Sequence, residues 1–570
     1  MSFITAIELE NFQSIARRTR FDLKPITLLF GPNSAGKSAL FDAIELLRFT
    51  LDPLLFDEDR VIDMVDRWAR RQGNANTRET FVAVEFNVDL DVVPQDVWWT
   101  ERGSHSSKSY FPSIYWDDDI LKDYNLDNKV VARIELCFRI QNHKNHDDCF
   151  ISESKCLING KVIAAVQKQI PGRSDSQSSE NNDEQDDAER YLLIPARSEN
   201  IFQAGCDTDR DVKKLNDSEL GEDVHTLQII STTSPFDVTP SFAGAAEDAA
   251  GVLLCQNLTD IFFYLGKTLW DPFRSKPGVV RADRRTPSPQ EALVVVDLNL
   301  GGWWNRGRQS PSSPAELLKA TNANTDEHVR GMATLTHAAA VYRASKADFW
   351  GGSHAEKNLS ALKSLSDHLA RINKHLETSL FTEKLYQLTC ESTLMVPLDL
   401  QEDDPNGYYL LAQPAATRLT LRDQDGMKLE LQDVGSGIPY VLPVLYSATS
   451  GGFSMVQQPE LHLHPALQSS IADIFIEELN ENVGSQFLIE THSEHLLLRI
   501  LRRIRESEKQ KCLSQLLELD NTQVAVYYFN PHVGGETHVS SLPISPIGDF
   551  YTDWPRGFFE ERNNDLFDED

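Results

Sequence analysis

The segment Gly31-Pro32-Asn33-Ser34-Ala35-Gly36-Lys37-Ser38 fits the phosphate-binding pattern G-x-x-x-x-G-K-[ST]. It follows an apolar run at 26–30 and precedes apolar residues at helical spacing over 39–49. A strand, a glycine turn and a helix in this order let consecutive backbone N–H groups point at phosphate oxygens, helped by the helix dipole. The pattern therefore predicts a nucleoside-triphosphate site in an α/β fold.

The chemistry of this loop assigns roles to its residues. We expect Lys37 to reach the β- and γ-phosphates and Ser38 to ligate Mg²⁺. ATP and Mg²⁺ are therefore the expected cofactors. The other expected nucleotide contacts in this loop are Gly31, Asn33, Ser34, Gly36 and Ala39.

Composition limits the partners of the chain. Its 570 residues predict two to four domains, and 55 basic against 86 acidic residues give a net charge of −31. Such a surface repels a polyanion, so we do not expect a broad grip on DNA without a local basic patch. No signal-peptide pattern or membrane-length apolar run is present, and the seven cysteines are scattered. We expect a soluble, cytoplasmic protein with no membrane contact and reduced thiols.

Periodicity divides the chain into three parts. Residues 1–200 are predicted as an N-terminal lobe, in which an antiparallel sheet over 80–167, with a hairpin at Asn159-Gly160, follows the phosphate-binding segment. A disordered acidic loop is expected at 172–190 and a long loop at 101–125. A mostly helical insertion is expected over 200–390, including a helix at 245–269, and a C-terminal lobe with strands near 394–398, 416–421 and 427–431 over 390–570.

Two features of the middle region leave alternatives open. Apolar residues at three- and four-residue spacing over 355–388 predict a long helix. It packs either on its own domain or, as an arm, on a second subunit. The triplet His143, His146 and Cys149 is either a metal site or a polar turn between strands, and its spacing matches no standard zinc pattern.

The second half of the predicted site lies after residue 430. Ser436 is expected to cap a helix and, with Gly435 and Gly437, to form a second anion site for a γ-phosphate from another subunit. A short apolar strand then ends at Gln457 and Gln458, followed by Glu460. The strand at 487–489 leads to His492, placed where a γ-phosphate-sensing histidine is expected.

These motifs together resemble a known class of ATPase. The series is Asn11 to Ile15, the phosphate-binding segment, Asp433 to Gly437, Gln457 to Pro465 and Glu490 to Ser493. It resembles the ABC-class, SMC-like ATPase heads of the OLD type, with an antiparallel β-subdomain and a helical insertion. The ending, Gly548 to Glu560, is similar to that of anti-phage ATPase subunits of the Septu (PtuA-like) and retron-associated kind. The resemblance implies a homodimer or higher homo-oligomer whose two heads enclose two nucleotides, with Gly435, Ser436 and Gly437 acting in trans.

The chain departs from this family at two positions. Gln457 replaces a carboxylate that orders the Mg²⁺ shell, and Gln458 stands where the catalytic glutamate is usual. Glutamine cannot take a proton at neutral pH. The catalytic candidates are therefore Gln457, Gln458, Glu460 and His492, the metal candidates are Ser38 and Gln457, and we expect slow hydrolysis or none.

The functional prediction is an ATP-binding regulatory subunit that controls a separate effector. Fewer than 80 residues follow His492, so we expect any nuclease to be a separate protein, with retron RNA, retron DNA or a reverse transcriptase as further candidate partners. The arginines at 499, 502, 503 and 505 are either a nucleic-acid or partner contact or a solvated helix face. The alternatives are a DNA-repair or recombination ATPase acting directly on DNA, and a transporter ATPase.

Overall fold

The computed structural model describes residues 3–52, 57–70, 77–89, 129–142, 147–169, 190–195, 226–227, 269, 279–288, 290–297, 319–320, 327–345, 353–394, 415–482, 484–512, 514–532 and 535–552. The chain forms two compact units. The first unit comprises Met1–Leu23, Asn33–Pro272 and Asn530–Val539, and the second comprises Lys24–Pro32, Phe273–Phe529 and Ser540–Asp570.

The first unit is built on an antiparallel sheet. Its strands are β1 (Phe3–Glu10), β2 (Thr19–Asp22), β4 (Thr77–Asp89), β5 (Lys129–Asn142), β6 (Asp147–Ile158), β7 (Lys161–Gln169), β8 (Arg190–Pro195) and β9 (Thr226–Leu227). They are ordered β2-β1-β4-β5-β6-β7-β8-β9. The turn between β6 and β7 has Asn159 at φ 47° and Gly160 at φ 77°, the conformation that an Asn-Gly hairpin favours. The predicted antiparallel sheet and its hairpin are confirmed.

Alternation of side chains gives this sheet its buried face. Val82, Val84 and Phe86 on β4 are fully buried. In the register of β4 with β5, Val84 lies opposite Ile134. Helices α1 (Ser38–Leu51) and α2 (Glu58–Trp68) pack against each other, and each also contacts this sheet. The alternating pattern of the sequence thus places its apolar side chains on one covered face of the sheet.

The second unit contains a parallel sheet. Its strands are β3 (Ile26–Phe30), β15 (Phe453–Gln457), β16 (Gln486–Glu490), β17 (Val524–Pro531) and β18 (Thr537–Ser541), ordered β15-β16-β3-β17-β18. The pairs β15–β16, β16–β3 and β3–β17 are parallel. Every residue of β3, β15 and β16 is buried, which explains why these strands are runs of apolar residues rather than alternating patterns.

A second, antiparallel sheet and five helices complete this unit. The strands are β10 (Leu293–Asp297), β11 (Lys319–Ala320), β12 (Gln387–Leu394), β13 (Ala415–Arg422) and β14 (Lys428–Glu430). The helices are α3 (Glu327–Ser345), α4 (Ser353–His375), α5 (Gly437–Thr449), α6 (Pro465–Glu481) and α7 (Glu494–Glu508). A π-helical turn, Leu376–Leu380, follows α4, and short 3₁₀ turns lie at Gln515–Leu517 and Asn521–Gln523. The α/β prediction is confirmed.

The long helix predicted over 355–388 was too long at its C-terminal end. The helical segment ends at Leu380, and Leu385 has a left-handed φ of 49° that no helix continues through. Leu388 belongs instead to β12. The side chain of Asn373 hydrogen-bonds both its backbone N–H (2.7 Å) and its carbonyl (3.2 Å). The strand predicted near 394–398 accordingly lies earlier, at 387–394, and residues 395–398 are outside the described part.

The apolar stripe of this helix decides between the two alternatives for its role. Its buried members, all in the core of the second unit, are Leu362, Leu365, Leu369, Ile372, Leu376 and Leu380. A stripe that is already covered by its own unit is not available to a second subunit. The helix therefore packs on its own domain.

Several predicted segments cannot be compared with the structure. The loops at 101–125 and 172–190, nearly all of the helix at 245–269, and the residues His143 and His146 lie outside the described residues. Within the described residues, no helix is both long and apolar enough to cross a membrane.

Candidate nucleotide-binding site

The phosphate-binding segment adopts the strand, turn and helix that its sequence predicts. β3 ends at Phe30, α1 begins at Ser38, and positive φ angles occur at Gly31 (142°), Ser34 (61°) and Gly36 (86°). At Gly31 an added Cβ would lie 2.4 Å from the backbone carbonyl oxygen of Phe529. Only glycine fits this position, because both its backbone angle and its neighbour exclude a side chain.

In the first unit, the later part of the segment is held by two residues that are distant in sequence. Thr537 donates from Oγ1 to the Ala35 carbonyl (2.8 Å) and from its backbone N–H to the Ser14 carbonyl (2.9 Å). A Cβ at Gly36 would lie 1.9 Å from Ser14 Oγ. Thr537 was not among the predicted residues, because nothing in its local sequence pattern indicates a contact with residue 35.

Lys37 lies at the start of α1 in helical conformation, with φ −55° and ψ −39°, and is 4 % exposed. One turn further along α1, Asp42 accepts a hydrogen bond from Gln13 Nε2 at 2.7 Å. Gln13 belongs to the short motif over 11–15 that contributed to the family resemblance. That motif is therefore connected to the phosphate-binding helix within one unit.

In the second unit, Gln457 and Glu490 end neighbouring parallel strands. Their Cα atoms are register partners, and Glu490 is in turn the register partner of Leu29 on β3. Both side chains are buried, at 6 % and 7 % exposure. Glu490 is therefore a further candidate site residue, and its place at the end of an apolar run before His492 is a signal visible in the sequence.

Gln458 has a strained backbone. Its φ of 45° is left-handed, a conformation that costs a non-glycine residue about 1–3 kcal/mol. Its N–H donates to the Glu490 carbonyl at 2.7 Å. Gln457 precedes it at the strand end, and its Oε1 accepts from the Ala282 N–H at 3.3 Å. The two glutamines are thus fixed in place by backbone and side-chain bonds.

Glu460 binds the segment that carries His492. Its two carboxylate oxygens accept hydrogen bonds from the His492 N–H (2.7 Å) and the Thr491 hydroxyl (2.9 Å). Burial raises the pKa of Glu460 above its ordinary value, although these hydrogen bonds act in the opposite direction. The structure therefore brings together two predicted catalytic candidates, Glu460 and His492. Both carboxylate oxygens of Glu460 are used to position the segment that carries His492.

Ser436 occupies the N-cap position of α5, as predicted, but its side chain does not cap the helix. Ser436 has helical angles (φ −52°, ψ −28°), and its side chain makes no capping hydrogen bond, whereas a capping residue needs an extended backbone. Gly435 and Ser436 are exposed, and Gly437, which begins α5, packs so closely that a Cβ would lie 3.0 Å from the His462 carbonyl oxygen. Pro443 also lies inside α5.

The arginines of α7 are bonded within the second unit. Arg499 (3.2 Å) and Arg503 (2.8 Å) pair with Asp473, and Arg502 pairs with Glu506 (2.7 Å). Arg505 donates to the Gly548 carbonyl at 3.0 Å. Each guanidinium thus has an internal partner, while the side chains of Arg502 and Arg505 remain 58 % and 42 % exposed, so this pairing reduces but does not remove the positive charge of the helix face.

Of the candidate metal triplet His143, His146 and Cys149, only Cys149 lies in the described part of the chain. Cys149 is buried, and burial raises its pKa to about 12, which disfavours the thiolate that binds zinc. Among the described residues, no group of three histidine, cysteine or carboxylate side chains could hold a metal ion.

The donors of the phosphate-binding segment fit a triphosphate. A turn of positive φ angles leads directly into a helix N-terminus, and the lysine and hydroxyl that a phosphate and Mg²⁺ require are adjacent there, as Lys37 and Ser38. In the second unit, Gln457 and Glu490 offer oxygen ligands of the kind that Mg²⁺ prefers. The residues therefore suit ATP with Mg²⁺.

Comparison with protein families matches three parts of the chain. A model described as "AAA ATPase domain" matches residues 315–497, and one described as "AAA domain" matches residues 6–217. A third, "Protein of unknown function (DUF3696)", matches residues 519–568. The two ATPase models cover the phosphate-binding segment and the motifs from Gly435 to His492, so both parts of the candidate site lie in regions similar to AAA-type ATPase domains.

Solved structures of similar shape include an SMC head bound to the C-winged helix domain of ScpA, at 11 % identity and TM-score 0.39, covering 95 % of this chain and 98 % of that one. They also include the SMC head domain from Thermotoga maritima (8 % identity, TM-score 0.30, 95 % and 100 % covered). A third is the recombination mediator protein RecF (8 % identity, TM-score 0.29, 97 % and 98 % covered). No curated protein matches the sequence. The structure itself shows the predicted α/β fold, with a phosphate-binding loop after β3 and an antiparallel β-sheet.

Proposed function

We propose that this chain is a regulatory ATPase subunit that binds ATP with Mg²⁺ and hydrolyses it slowly or not at all. The observation that carries the proposal is that two glutamines, the buried Gln457 and the backbone-anchored Gln458, stand at the strand end where a hydrolysing ATPase needs carboxylates. An amide can hold a water molecule or a metal shell by hydrogen bonds, but it cannot accept the proton of an attacking water.

The residues divide into those that hold nucleotide and those that sense it. In this proposal Lys37 and the backbone of residues 31–38 hold the phosphates. Ser38 is proposed as one Mg²⁺ ligand, and in the second unit Gln457 and Glu490 offer further oxygen ligands; Mg²⁺ neutralises phosphate charge when it is bound. His492, oriented through its N–H by Glu460, would contact the γ-phosphate side of the nucleotide.

Nucleotide binding is proposed to close a homodimer. Gly435 and Ser436 are exposed at the start of α5, and the unused Ser436 hydroxyl and the helix N-terminus suit a phosphate presented by a second copy. The closed and open dimers would then hold or release an effector. By its motif resemblance to Septu-like and retron-associated subunits, we propose a separate nuclease as that effector, in cytoplasmic anti-phage defence, with retron nucleic acid or a reverse transcriptase as further candidate partners.

Nucleotide binding and turnover test the proposal directly. Fluorescent ATP titration with Mg²⁺ should give saturable binding that Lys37→Ala abolishes, while single-turnover hydrolysis stays far below about 1 s⁻¹, the lower end of ordinary enzyme turnover. Turnover at or above that rate by the purified chain contradicts a holding role.

The effector is tested by expression with neighbouring genes. The chain should co-purify with a nuclease, and ATP should change the nuclease activity of that complex. If the chain purifies alone from such cells, the regulatory role is wrong.

The alternative is an ATPase of the SMC and RecF kind that acts directly on DNA. It requires salt-sensitive DNA binding by the isolated protein. The net charge of −31 and the internal pairing of the α7 arginines both weigh against it. A fluorescence-anisotropy titration with duplex DNA at low and high salt separates the two functions.

A further inference from the structure

Arg284 is a half-buried residue of the second unit that no motif in the sequence indicated. It follows a short extended stretch in which the Val280 N–H donates to the Met455 carbonyl (2.9 Å) and the Gln457 N–H donates to the Val280 carbonyl (2.8 Å). This stretch lies along β15 as an additional parallel neighbour. The guanidinium four residues later is therefore held beside the end of that strand.

The guanidinium of Arg284 donates to four backbone carbonyls. Nη1 reaches Gln457 and Arg281, both at 2.9 Å, and Nη2 reaches Gln458 at 2.8 Å. Nε reaches Tyr440 at 2.9 Å. Burial lowers the pKa of Arg284 to about 10 although the nearby Glu460 carboxylate acts in the opposite direction, so Arg284 is still a cation at neutral pH. A planar fork that serves several carbonyls is a geometry that lysine cannot reproduce.

Arg284 connects two functional segments of the same unit. Gln457 and Gln458 belong to the strand end, and Gln458 has the left-handed backbone that such a bond to its carbonyl helps to hold. Tyr440 lies in the first turn of α5, after Gly435 and Ser436. The Tyr440 ring is 4.2 Å from that of His462 between centroids, and Gly437 packs against the His462 carbonyl. A series of direct contacts therefore joins the strand end to the start of α5.

We propose that Arg284 is a positioning residue that couples the nucleotide-facing strand end to the start of α5, so that ATP bound in one chain aligns the Gly435–Ser436 surface offered to a second chain. This inference rests on the proposed ATP-dependent dimer. It adds to that function a specific residue, Arg284, and a direction of coupling within one chain, from the strand end to α5.

Arg284→Lys tests this role, because it keeps the charge and loses the planar fork. ATP affinity should stay within about threefold of the wild-type value, while the protein concentration needed for ATP-dependent dimerisation in sedimentation rises about tenfold. The matched control is Arg285→Lys, whose side chain is 72 % exposed and pairs with Glu291, and which should leave both quantities unchanged. Equal dimerisation of Arg284→Lys and the wild type overturns the inference.

Hydrogen exchange provides a second measurement and a second variant. In the wild type, ATP should slow exchange in peptides covering both 437–446 and 457–463. The exposed His462 can be truncated without loss of core packing, and in His462→Ala the slowing should persist at 457–463 and weaken at 437–446. Equal slowing at both segments in His462→Ala and, where it folds, in Arg284→Lys overturns the coupling. A wild-type protein that binds no ATP, or that binds ATP and does not dimerise, instead overturns the proposed function itself.

Discussion

Gln457 and Glu490 are register partners at the ends of two parallel strands, so an amide and a carboxylate stand side by side in the second unit. The neighbouring strand on the other side of Glu490 is β3, which leads into the phosphate-binding segment. A second carboxylate, that of Glu460, bonds Thr491 and His492 directly after Glu490.

Restoring a base should restore hydrolysis. Gln458→Glu places a proton acceptor at the catalytic position, and general-base catalysis contributes about 10²-fold or more, so single-turnover hydrolysis should rise by about that factor. Gln432→Glu adds the same charge at an exposed position and should have no effect. If Gln458→Glu hydrolyses ATP no faster than the wild type, the missing base is not what limits turnover.

Removing the one carboxylate of the Gln457–Glu490 pair should weaken the response to Mg²⁺. Glu490→Gln keeps the shape of the side chain and loses its charge, so the Mg²⁺ concentration that half-saturates ATP binding should rise about tenfold. Glu494→Gln, in the first turn of α7, is the control. The measurement is a Mg²⁺ titration at fixed ATP. An unchanged midpoint would mean that Glu490 does not serve the metal.

Gly31 should tolerate no side chain. In Gly31→Ala the new Cβ meets the Phe529 carbonyl oxygen at 2.4 Å, and a backbone atom cannot rotate away. ATP affinity should fall about tenfold or more, with a loss of about 1–3 kcal/mol in free energy of unfolding. Gly426→Ala is the control, since Gly426 has φ 78° but open space around it. Similar losses of ATP binding in both variants would show that backbone strain alone, rather than the contact, is responsible.

The phosphate-binding segment and the sheets were predictable because their signals are local. The glycine pattern specifies the turn after β3, and Asn159-Gly160 specifies a hairpin whose register then follows from alternation. The over-long helix shows the limit of periodicity: spacing cannot distinguish Leu380, the last helical residue, from Leu388, which Asn373 fixes in a strand.

The site was predictable only where residues act through their own type. Lys37, Ser38 and His492 are indicated by motifs, whereas Arg284 and Thr537 act by bonding backbone carbonyls of segments far away in sequence. Every residue has a backbone carbonyl, so no sequence pattern shows which side chain will donate a hydrogen bond to a given carbonyl. Ser436 is an example of the opposite kind. Serine is favoured at helix caps, but the Ser436 side chain makes no capping hydrogen bond and is left for another use.

Acid should destabilise the second unit through His337. Its ring is 3 % exposed, its Nδ1 lies 3.1 Å from Ser392 Oγ, and burial lowers its pKa from 6.5 to about 4. The unfolded chain takes up the proton first as pH falls. The stability that the neutral ring provides is therefore complete above about pH 6.5 and is lost towards pH 4, to a total of about 3 kcal/mol.

The variant His337→Asn keeps a polar group beside Ser392 and cannot titrate in this range. The free energy of unfolding, from urea titrations followed by circular dichroism, should fall more steeply for the wild type than for the variant between about pH 7 and about pH 4.5. His495→Asn, at an exposed position on α7, should follow the wild-type profile. Parallel profiles for wild type and His337→Asn would show that the ring is as easily protonated in the folded protein as in the unfolded chain.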